Sequence, residues 1–161
     1  LAFAAPPLRR TGPLDETLLV RIAAGLGVAR AEILQHQWVD NGPGWCAVKL
    51  DSGSAVRALQ PDWAALGDIK LGVVGAQAAD DDTAFEVRAF IGAGGYEDPV
   101  TGSLNASLAQ WLIGTGQAPS AYVAAQGSAL GRAGRVHVRA EGDAVWVGGD
   151  VVACIDGQVQ L

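Results

Sequence analysis

The sequence contains no methionine, and its 161 residues include only two cysteines, Cys46 and Cys154. Both cysteines lie in strand-like apolar runs without a CxxC spacing, so we expect two buried, reduced thiols rather than a disulfide or a metal site. Reduced thiols are typical of cytoplasmic proteins, and a cytoplasmic location is expected. The half-apolar opening at Leu1 lacks the charged start and cleavage site of a signal peptide, so we expect the natural N-terminus to precede it.

Charged residues are also scarce, at 17% of the chain, and acidic residues outnumber lysine plus arginine by 17 to 11. The resulting net charge of -6 provides no basic surface, so we expect neither nucleic acid nor a membrane as a partner. No apolar run approaches the roughly 18 residues that suggest a membrane-spanning helix. The hydrophobic content of 50% instead indicates a globular domain with a substantial core.

The hydrophobic patterning predicts a mixed α/β fold of the α+β type. One helix is predicted from Asp15 to Leu26, a short one from Pro61 to Leu66, and a strongly apolar one at about 103–113. Strands are predicted at 33–39, 45–50, 70–77, 84–91, 121–125, 135–140, 144–148 and 150–155. The first two strands form a hairpin through Asn41-Gly42, and residues 54–60 are ambiguous. We therefore expect a mixed, mostly antiparallel sheet wrapped around the helix at 103–113.

The N-terminal stretch 1–13 is predicted to be a linker, or the end of a preceding lobe, and residues 14–161 to form the domain. Residues 1–5 could form a strand, but Pro6-Pro7 stops any ladder or helix. Three successive aspartates at 80–82 lack the spaced ligand pattern of a calcium loop, so we expect a solvated turn there and no metal.

The stretch richest in polar groups is GAGGYEDPVTGS at 92–103, between a predicted strand and the apolar helix. It places two adjacent carboxylates and two hydroxyls where a helix start exposes backbone N–H groups. Such a start can bind the carboxylate of a small acid, and Gly102 would let that backbone be approached closely. Pro99 restricts Asp98 to an extended backbone, which fixes the direction of its side chain.

Simpler explanations exist for these residues. Thr101 or Ser103 could serve only as the helix N-cap, a role worth about 1 kcal/mol. Glu97 and Asp98 could form a solvated acidic turn. A dinucleotide- or phosphate-binding loop is disfavoured, because GAGGYE lacks the third glycine of GxGxxG and no GK[ST] follows.

The remaining polar and aromatic residues are less informative. Arg88 and Arg132 could bind an acid or only pair with carboxylates of the fold. His36 and His137 lie in strand-like runs and are interpreted as ordinary strand residues. The five tryptophans, Trp38, Trp45, Trp63, Trp111 and Trp146, are interpreted as core or interface residues rather than as a stacking platform.

Four segments together resemble one known family. FEVRAF at 85–90, GGYEDPVTGS at 94–103, YVAAQG at 122–127 and GRAG at 131–134 resemble, in order and approximate spacing, the phenazine-biosynthesis-like (PhzF-like) isomerase family. The resemblance covers the C-terminal half of such a protein, from about residue 84 to the end, with weaker similarity back to residue 1. It implies a diaminopimelate-epimerase-like fold of two similar α/β lobes, each a sheet around a central helix, with the active site between them.

The resemblance also implies an activity: cofactor-free isomerisation or epimerisation by proton transfer on a small carboxylate metabolite. By position in the motifs, Asp98 and Ser103 are the implied catalytic residues. Gly95, Thr101 and Gly102 are expected to bind substrate, and neither a cofactor nor a metal is expected. We also expect a homodimer.

One part of the family pattern is missing from this sequence. The N-terminal lobe of the family contributes a catalytic glutamate and a Gly-His pair, and no Gly-His occurs here. The chain is therefore expected to be a fragment, one of two chains that share the site, or a truncated relative, and to be inactive alone. The alternative functions are a non-catalytic module that binds a small anion and an inactive fragment.

Overall fold

The structure, a computed structural model, describes residues 1–160, so the last residue of the predicted domain 14–161 lies outside the described residues. Within this range, nine strands form one sheet and four α-helices pack against it. The strands are β1 (Ala2–Ala4), β2 (Gln35–Trp38), β3 (Cys46–Lys49), β4 (Lys70–Ala76), β5 (Phe85–Ile91), β6 (Tyr96–Asp98), β7 (Ala121–Gln126), β8 (Gly134–Glu141) and β9 (Ala144–Gly148). The helices are α1 (Glu16–Leu26), α2 (Gly53–Ala58), α3 (Trp63–Leu66) and α4 (Gly102–Gly114). Single 3₁₀ turns cover Arg30–Glu32, Gly92–Gly94 and Ser128–Leu130.

The sheet is mixed but mostly antiparallel, as predicted. Its strands lie in the order β1-β9-β8-β7-β5-β4-β3-β2. Only the pairs β3–β4 and β5–β7 are parallel among the described strands, and the other pairs are antiparallel. The predicted hairpin of the first two strands is present as β2 and β3.

Strand β5 carries two strands on one of its edges. β4 pairs along its full length on one side. On the other side, β7 pairs with Phe85–Val87 and β6 pairs with Ala89–Ile91, so that β6 and β7 meet end to end. The sequence predicts only a loop where β6 lies, because three residues are too few to reveal a strand alternation.

Helix α4 lies in the main core and is buried nearly all round. Its buried residues are Leu104, Asn105, Ala106, Ser107, Leu108, Ala109, Trp111 and Leu112. The apolar side chains that surround it come from the strands between β3 and β9. The opposite face of β3, β4 and β5 forms a second core with α1, α2 and α3. The prediction of a sheet around a central helix at 103–113 is therefore confirmed, with the helix one residue longer at each end.

Local capping accounts for the helix boundaries. Asp15 accepts the amide N–H of Leu18 at 2.9 Å at the start of α1. Ser52 accepts the N–H of Ala55 at 3.2 Å at the start of α2, so the ambiguous stretch 54–60 is largely helical. The side chain of Asp62 caps α3, which is why that helix begins at Trp63 rather than at the predicted Pro61.

Two predictions for the C-terminal stretch are wrong. Residues 150–155 form no strand, and Val152 and Ile155 are 82% and 93% exposed. An extended segment needs neighbouring backbone groups to exchange hydrogen bonds, and residues 150–160 find none in the described part of the chain. Cys154 is consequently exposed, whereas Cys46 is buried as predicted, and burial raises the pKa of its thiol to about 12.

The N-terminal residues also contribute to the sheet. β1 pairs with β9 in antiparallel register, from Ala2 opposite Gly148 to Ala4 opposite Trp146. The boundary between 1–13 and 14–161 stays a prediction. None of the helices within residues 1–160 has the length and apolar character needed to cross a membrane.

We expect Gly75→Ala to destabilise the fold. A Cβ at Gly75 of β4 would collide with the backbone carbonyl of Ser52, which cannot rotate away, and overpacking of this kind costs roughly 1–3 kcal/mol. The control is Gly114→Ala at the end of α4, where a Cβ meets nothing within 4 Å and alanine should stabilise the helix by about 0.5–1 kcal/mol. Urea unfolding measures both free energies. Equal effects of the two substitutions would contradict the packing at Gly75.

Candidate active site

The two adjacent carboxylates of the polar stretch lie on opposite faces of the sheet. Side chains alternate along a strand, and β6 contains both Glu97 and Asp98. Asp98 pairs with Ala89, which belongs to the core around α4, whereas Glu97 pairs with Phe90, which belongs to the second core. The half-buried Asp98 side chain is therefore directed to the face where α4 begins. The interpretation of both residues as one solvated acidic turn does not hold.

Glu97 forms a buried ion pair with Arg88. The shortest distance, from Arg88 Nη2 to Glu97 Oε2, is 2.6 Å, and the side chains are only 6% and 3% exposed. Arg88 also donates to the backbone carbonyls of Leu59 at 2.7 Å and Val56 at 3.3 Å, next to the end of α2. The ion pair and these two hydrogen bonds of Arg88 together attach β6 to the second core. Of the two roles considered for Arg88, pairing with a carboxylate of the fold is therefore the one observed.

Ser103 is held by the loop between β2 and β3. It is the second residue of α4, and its Oγ accepts a hydrogen bond from the indole Nε1 of Trp45 at 3.0 Å. The side-chain amide of Asn41 donates to the Ser103 carbonyl at 2.9 Å. Since the indole occupies one acceptor position of the hydroxyl, the Ser103 O–H can donate in another direction.

Thr101 and Gly102 form the start of α4. Thr101 occupies the N-cap position, but its hydroxyl makes no capping bond and instead accepts from Gln126 Nε2 at 3.0 Å. At Gly102, a Cβ would lie 3.3 Å from the ring of Phe3, so that only glycine fits there without a shift of the ring. The amide N–H groups of this first turn have no partner within the helix and carry its partial positive charge, which suits an anion.

The downstream QG and GRAG segments lie against the same loop, because Gly127 allows its backbone to approach that loop closely. A Cβ at Gly127 would lie 2.6 Å from the carbonyl oxygen of Pro99, and φ at Gly127 is 89°. The amide of Arg132 donates to the Gly127 carbonyl at 3.0 Å. The Arg132 side chain is exposed and makes no salt bridge within residues 1–160. Three of the four segments that carry the resemblance, those at 94–103, 122–127 and 131–134, therefore meet around 98–101.

Gly95 lies apart from the other predicted site residues. It follows the 3₁₀ turn at 92–94 with φ of 62° and closes the hairpin of β5 and β6. Asp98 lies at the far end of β6, about 10 Å along the strand. The structure thus explains this glycine by the turn, and its expected role in substrate binding stays a prediction.

Two other titratable groups, His36 and Asp81, form their hydrogen bonds away from this site. His36 accepts the N–H of Leu14 at 3.1 Å through Nδ1, and its partial burial lowers the pKa of the imidazole. Asp81 accepts both the N–H and the hydroxyl of Thr83, and the hydroxyl bond lowers the pKa of Asp81. The described residues contain no cluster of three or more His, Cys, Asp or Glu side chains that could hold a metal ion.

Four residues that support the site were not recognised as such from the sequence: Asn41, Trp45, Asn105 and Gln126. Two of them carry a signal that could have been used. Gln126 ends an apolar strand and Asn105 lies within an apolar helix, and a buried amide in such a position requires hydrogen-bond partners. The sequence predicts Asn41 only as part of a tight turn, and nothing in that pattern indicates that its side chain donates to the Ser103 carbonyl.

The sequence motifs and their meeting around α4 agree with a comparison against protein families. The family described as phenazine biosynthesis-like protein (PhzC-PhzF) matches residues 3–157. This chain belongs to that family. The resemblance stated from the motifs at 85–134 is therefore confirmed, and the match extends over nearly the whole chain.

Solved structures of PhzF-family proteins share the fold. A phenazine biosynthesis protein of the PhzF family from Enterococcus faecalis is 24% identical with a TM-score of 0.68, over 92% of this chain and 53% of that one. A putative phenazine biosynthesis PhzC/PhzF protein from Clostridium difficile (strain 630) is 22% identical with a TM-score of 0.69, over 100% and 57%. A predicted epimerase from Pseudomonas aeruginosa is 20% identical with a TM-score of 0.64, over 92% and 52%.

These comparisons confirm the epimerase-like fold predicted for the chain. The chain spans about half the length of the solved structures that it matches. None of the curated protein sequences matches it.

The buried pair predicts a large loss of stability for Glu97→Gln. Removal of one partner leaves the Arg88 charge buried without a counterion, which costs about 3–5 kcal/mol. The matched control is Glu141→Gln, because the Arg139–Glu141 pair is 64% and 53% exposed and such pairs contribute less than about 1 kcal/mol. Chemical unfolding of both variants provides the comparison, and a loss at Glu97 as small as that at Glu141 would show that the pair does not anchor β6.

The contact between Trp45 and Ser103 predicts a spectroscopic change in Ser103→Ala. The variant removes the acceptor of the Trp45 indole N–H, so we expect that resonance to move upfield and its hydrogen to exchange faster. The resonance is assigned by its absence in Trp45→Phe. The indole resonance of the buried Trp111, which serves as the internal control, should stay in place; an unchanged Trp45 signal would mean that this bond does not form in solution.

Proposed function

We propose that this chain is the C-terminal lobe of a cofactor-independent PhzF-like isomerase or epimerase that acts by proton transfer on a small carboxylic acid. The observation that carries the proposal is the convergence of Asp98 and the α4 N-terminus, with Ser103 in its first turn, on the same face of the sheet. Family membership and the likeness to a predicted epimerase support this class of reaction.

Asp98 is the acid/base group in this proposal. The reaction breaks a C–H bond next to the carboxylate or enamine of the substrate, and the electron pair left on carbon is delocalised into that group. The proton is then returned to the opposite face of the same carbon or to another carbon. Asp98 either accepts or delivers it, at a position fixed by the β6 ladder and by Pro99.

The start of α4 holds the substrate carboxylate in this proposal. Gly102 and Ser103 offer backbone N–H groups at the positive end of the helix, and the Ser103 hydroxyl adds a donor whose other side is occupied by Trp45. These donors stabilise the negative charge that develops on the carboxylate as the C–H bond breaks, which lowers the barrier to proton transfer. Thr101 contributes through the position of its backbone, since its hydroxyl is bound to Gln126.

A second lobe supplies the other acid/base group in this proposal. One carboxylate can remove or deliver a proton on only one face of the substrate carbon. Return of the proton to the opposite face needs a second acid/base group on that side. This second group, the cofactor independence, the assembly into a homodimer and a cytoplasmic location are predictions from the sequence.

Asp98→Asn in the full-length protein should abolish proton transfer while the fold is retained. The assay mixes the protein in D2O with a panel of small carboxylic acids that carry a C–H bond next to the carboxylate or an enamine, and follows deuterium incorporation by NMR. We expect the rate for the reactive acid to fall by about 10²–10⁴-fold, because the transferred proton loses its carrier. The control is Asp143→Asn in the exposed turn between β8 and β9, which should leave the rate unchanged.

The same assay separates the alternatives. The 161-residue chain alone should give no exchange, and equal turnover by the chain and the full-length protein would show that no second lobe is needed. Binding of an acid without exchange would instead favour the small-anion-binding module. An Asp98→Asn variant with unchanged rate would remove Asp98 from the mechanism.

A further inference from the structure

The Gln126 side chain makes three hydrogen bonds to the loop at 98–101 and one to α4. It is fully buried at the end of β7. Its Oε1 accepts from the amide of Thr101 at 3.0 Å and from Asn105 Nδ2 at 2.7 Å. Its Nε2 donates to the carbonyl of Asp98 at 3.0 Å and to the hydroxyl of Thr101 at 3.0 Å. The full hydrogen-bonding capacity of the carboxamide is thus used on this loop and on α4.

The two ends of this loop are also held by the β6 ladder at Asp98 and by Asn105 Nδ2, which donates to the Thr101 carbonyl at 2.9 Å, but its middle is not. The backbone groups of Pro99 and Val100 make no hydrogen bond to other backbone groups within residues 1–160. Both residues are exposed. The Gln126 carboxamide therefore connects the last residue of β6 to the residue that precedes α4, across the segment that would otherwise be free to change its path.

The position of Gln126 follows from the shared edge of β5. β7 ends where Gln126 pairs with Val87, and β6 ends where Asp98 pairs with Ala89. The two strand ends are separated only by the position of Arg88. A side chain as long as glutamine, on the α4 side of β7, spans this gap and reaches the Asp98 carbonyl.

We propose that Gln126 is a positioning residue of the proton-transfer reaction: it sets the separation between Asp98 and the α4 N-terminus by bonding to both ends of the 98–101 loop. This inference rests on the proposed function. An amide is the side chain required, because it offers donors to the Asp98 side of the gap and an acceptor to the Thr101 amide. A carboxylate of the same shape would face the Asp98 carbonyl with a second acceptor.

The test compares Gln126→Glu with Gln110→Glu in the full-length protein. Gln110 also donates from Nε2 to a backbone carbonyl, that of Pro6 at 3.1 Å, but about two turns further along α4 from the loop. For the acid that exchanges in the deuterium assay, we expect Gln126→Glu to lower kcat by about 10- to 100-fold, because a small displacement of a reacting group has effects of this size. KM should change by less than about threefold, and Gln110→Glu should match the wild type.

The pH profile provides a readout that general destabilisation does not give. At low pH the introduced carboxyl is neutral and can donate its O–H to the Asp98 carbonyl, and its burial keeps it neutral over a wider range than an exposed carboxyl. The ratio of the Gln126→Glu rate to the wild-type rate should therefore rise as the pH falls. A ratio that is flat with pH, or an unchanged kcat, would overturn the proposal.

A measurement without substrate keeps the inference separate from the proposed function. Hydrogen–deuterium exchange should accelerate in peptide 98–104 of Gln126→Ala, relative to peptide 106–113 of the same helix. If no acid exchanges, or if Asp98→Asn retains turnover, the proposed function fails while this measurement still decides whether Gln126 holds the loop. If Asp98→Asn is inactive and the Gln126 variants keep wild-type kcat, only the role of Gln126 fails.

A second variant covers the case in which substitutions of Gln126 do not fold. Asn105→Ala leaves Gln126 in place but removes one of the two donors to its Oε1, together with the hydrogen bond from Asn105 Nδ2 to the Thr101 carbonyl at 2.9 Å. We expect a smaller fall in kcat in the same direction, again with KM unchanged. Wild-type kcat in a folded Asn105→Ala, together with unchanged exchange in peptide 98–104, would overturn the proposal.

Discussion

The burial of α4 on nearly every side is the constraint on which the rest of the structure depends. A helix enclosed by a sheet can satisfy its backbone groups internally except at its ends, where the first turn leaves N–H groups without a helical partner. In this chain that end contains Thr101 and Ser103, and β6 brings Asp98 to it. The same residues thus surround the free N–H groups at the start of the buried helix and provide polar groups for chemistry.

The alternation of side chains along β6 separates two tasks within one dipeptide. Glu97 is buried with Arg88 and fixes the strand to the second core, whereas Asp98 faces the first turn of α4. A strand of three residues has too few ladder bonds to be held firmly by them. The ion pair on one face therefore stabilises the strand that presents the carboxylate on the other.

Features that are set by residues close together in the sequence can be predicted from it. The apolar surface of α4, the hairpin of β2 and β3, and the motif that carries Asp98 and Ser103 all depend on neighbouring residues. The order of strands, the shared edge of β5 and the pairing of Ser103 with Trp45 depend on residues far apart in sequence, so no local pattern reports them. Residues 150–155 illustrate the opposite error, because their apolar run is typical of a strand but no neighbouring strand pairs with them among residues 1–160.

The shared edge of β5 also limits how the chain can vary in length. β7 arrives from one end of that edge and β6 occupies the other, with one residue of β5 between their ends. An added residue in either strand would push the two together or shift the register of one of them. The turn at 78–82, between β4 and β5, is exposed, and its Asp82 makes only a solvent-exposed ion pair with Arg135 of β8, so this turn can change in length more readily. Insertions and deletions among relatives should therefore accumulate in that turn, while the spacing between β5, β6 and the start of α4 stays constant.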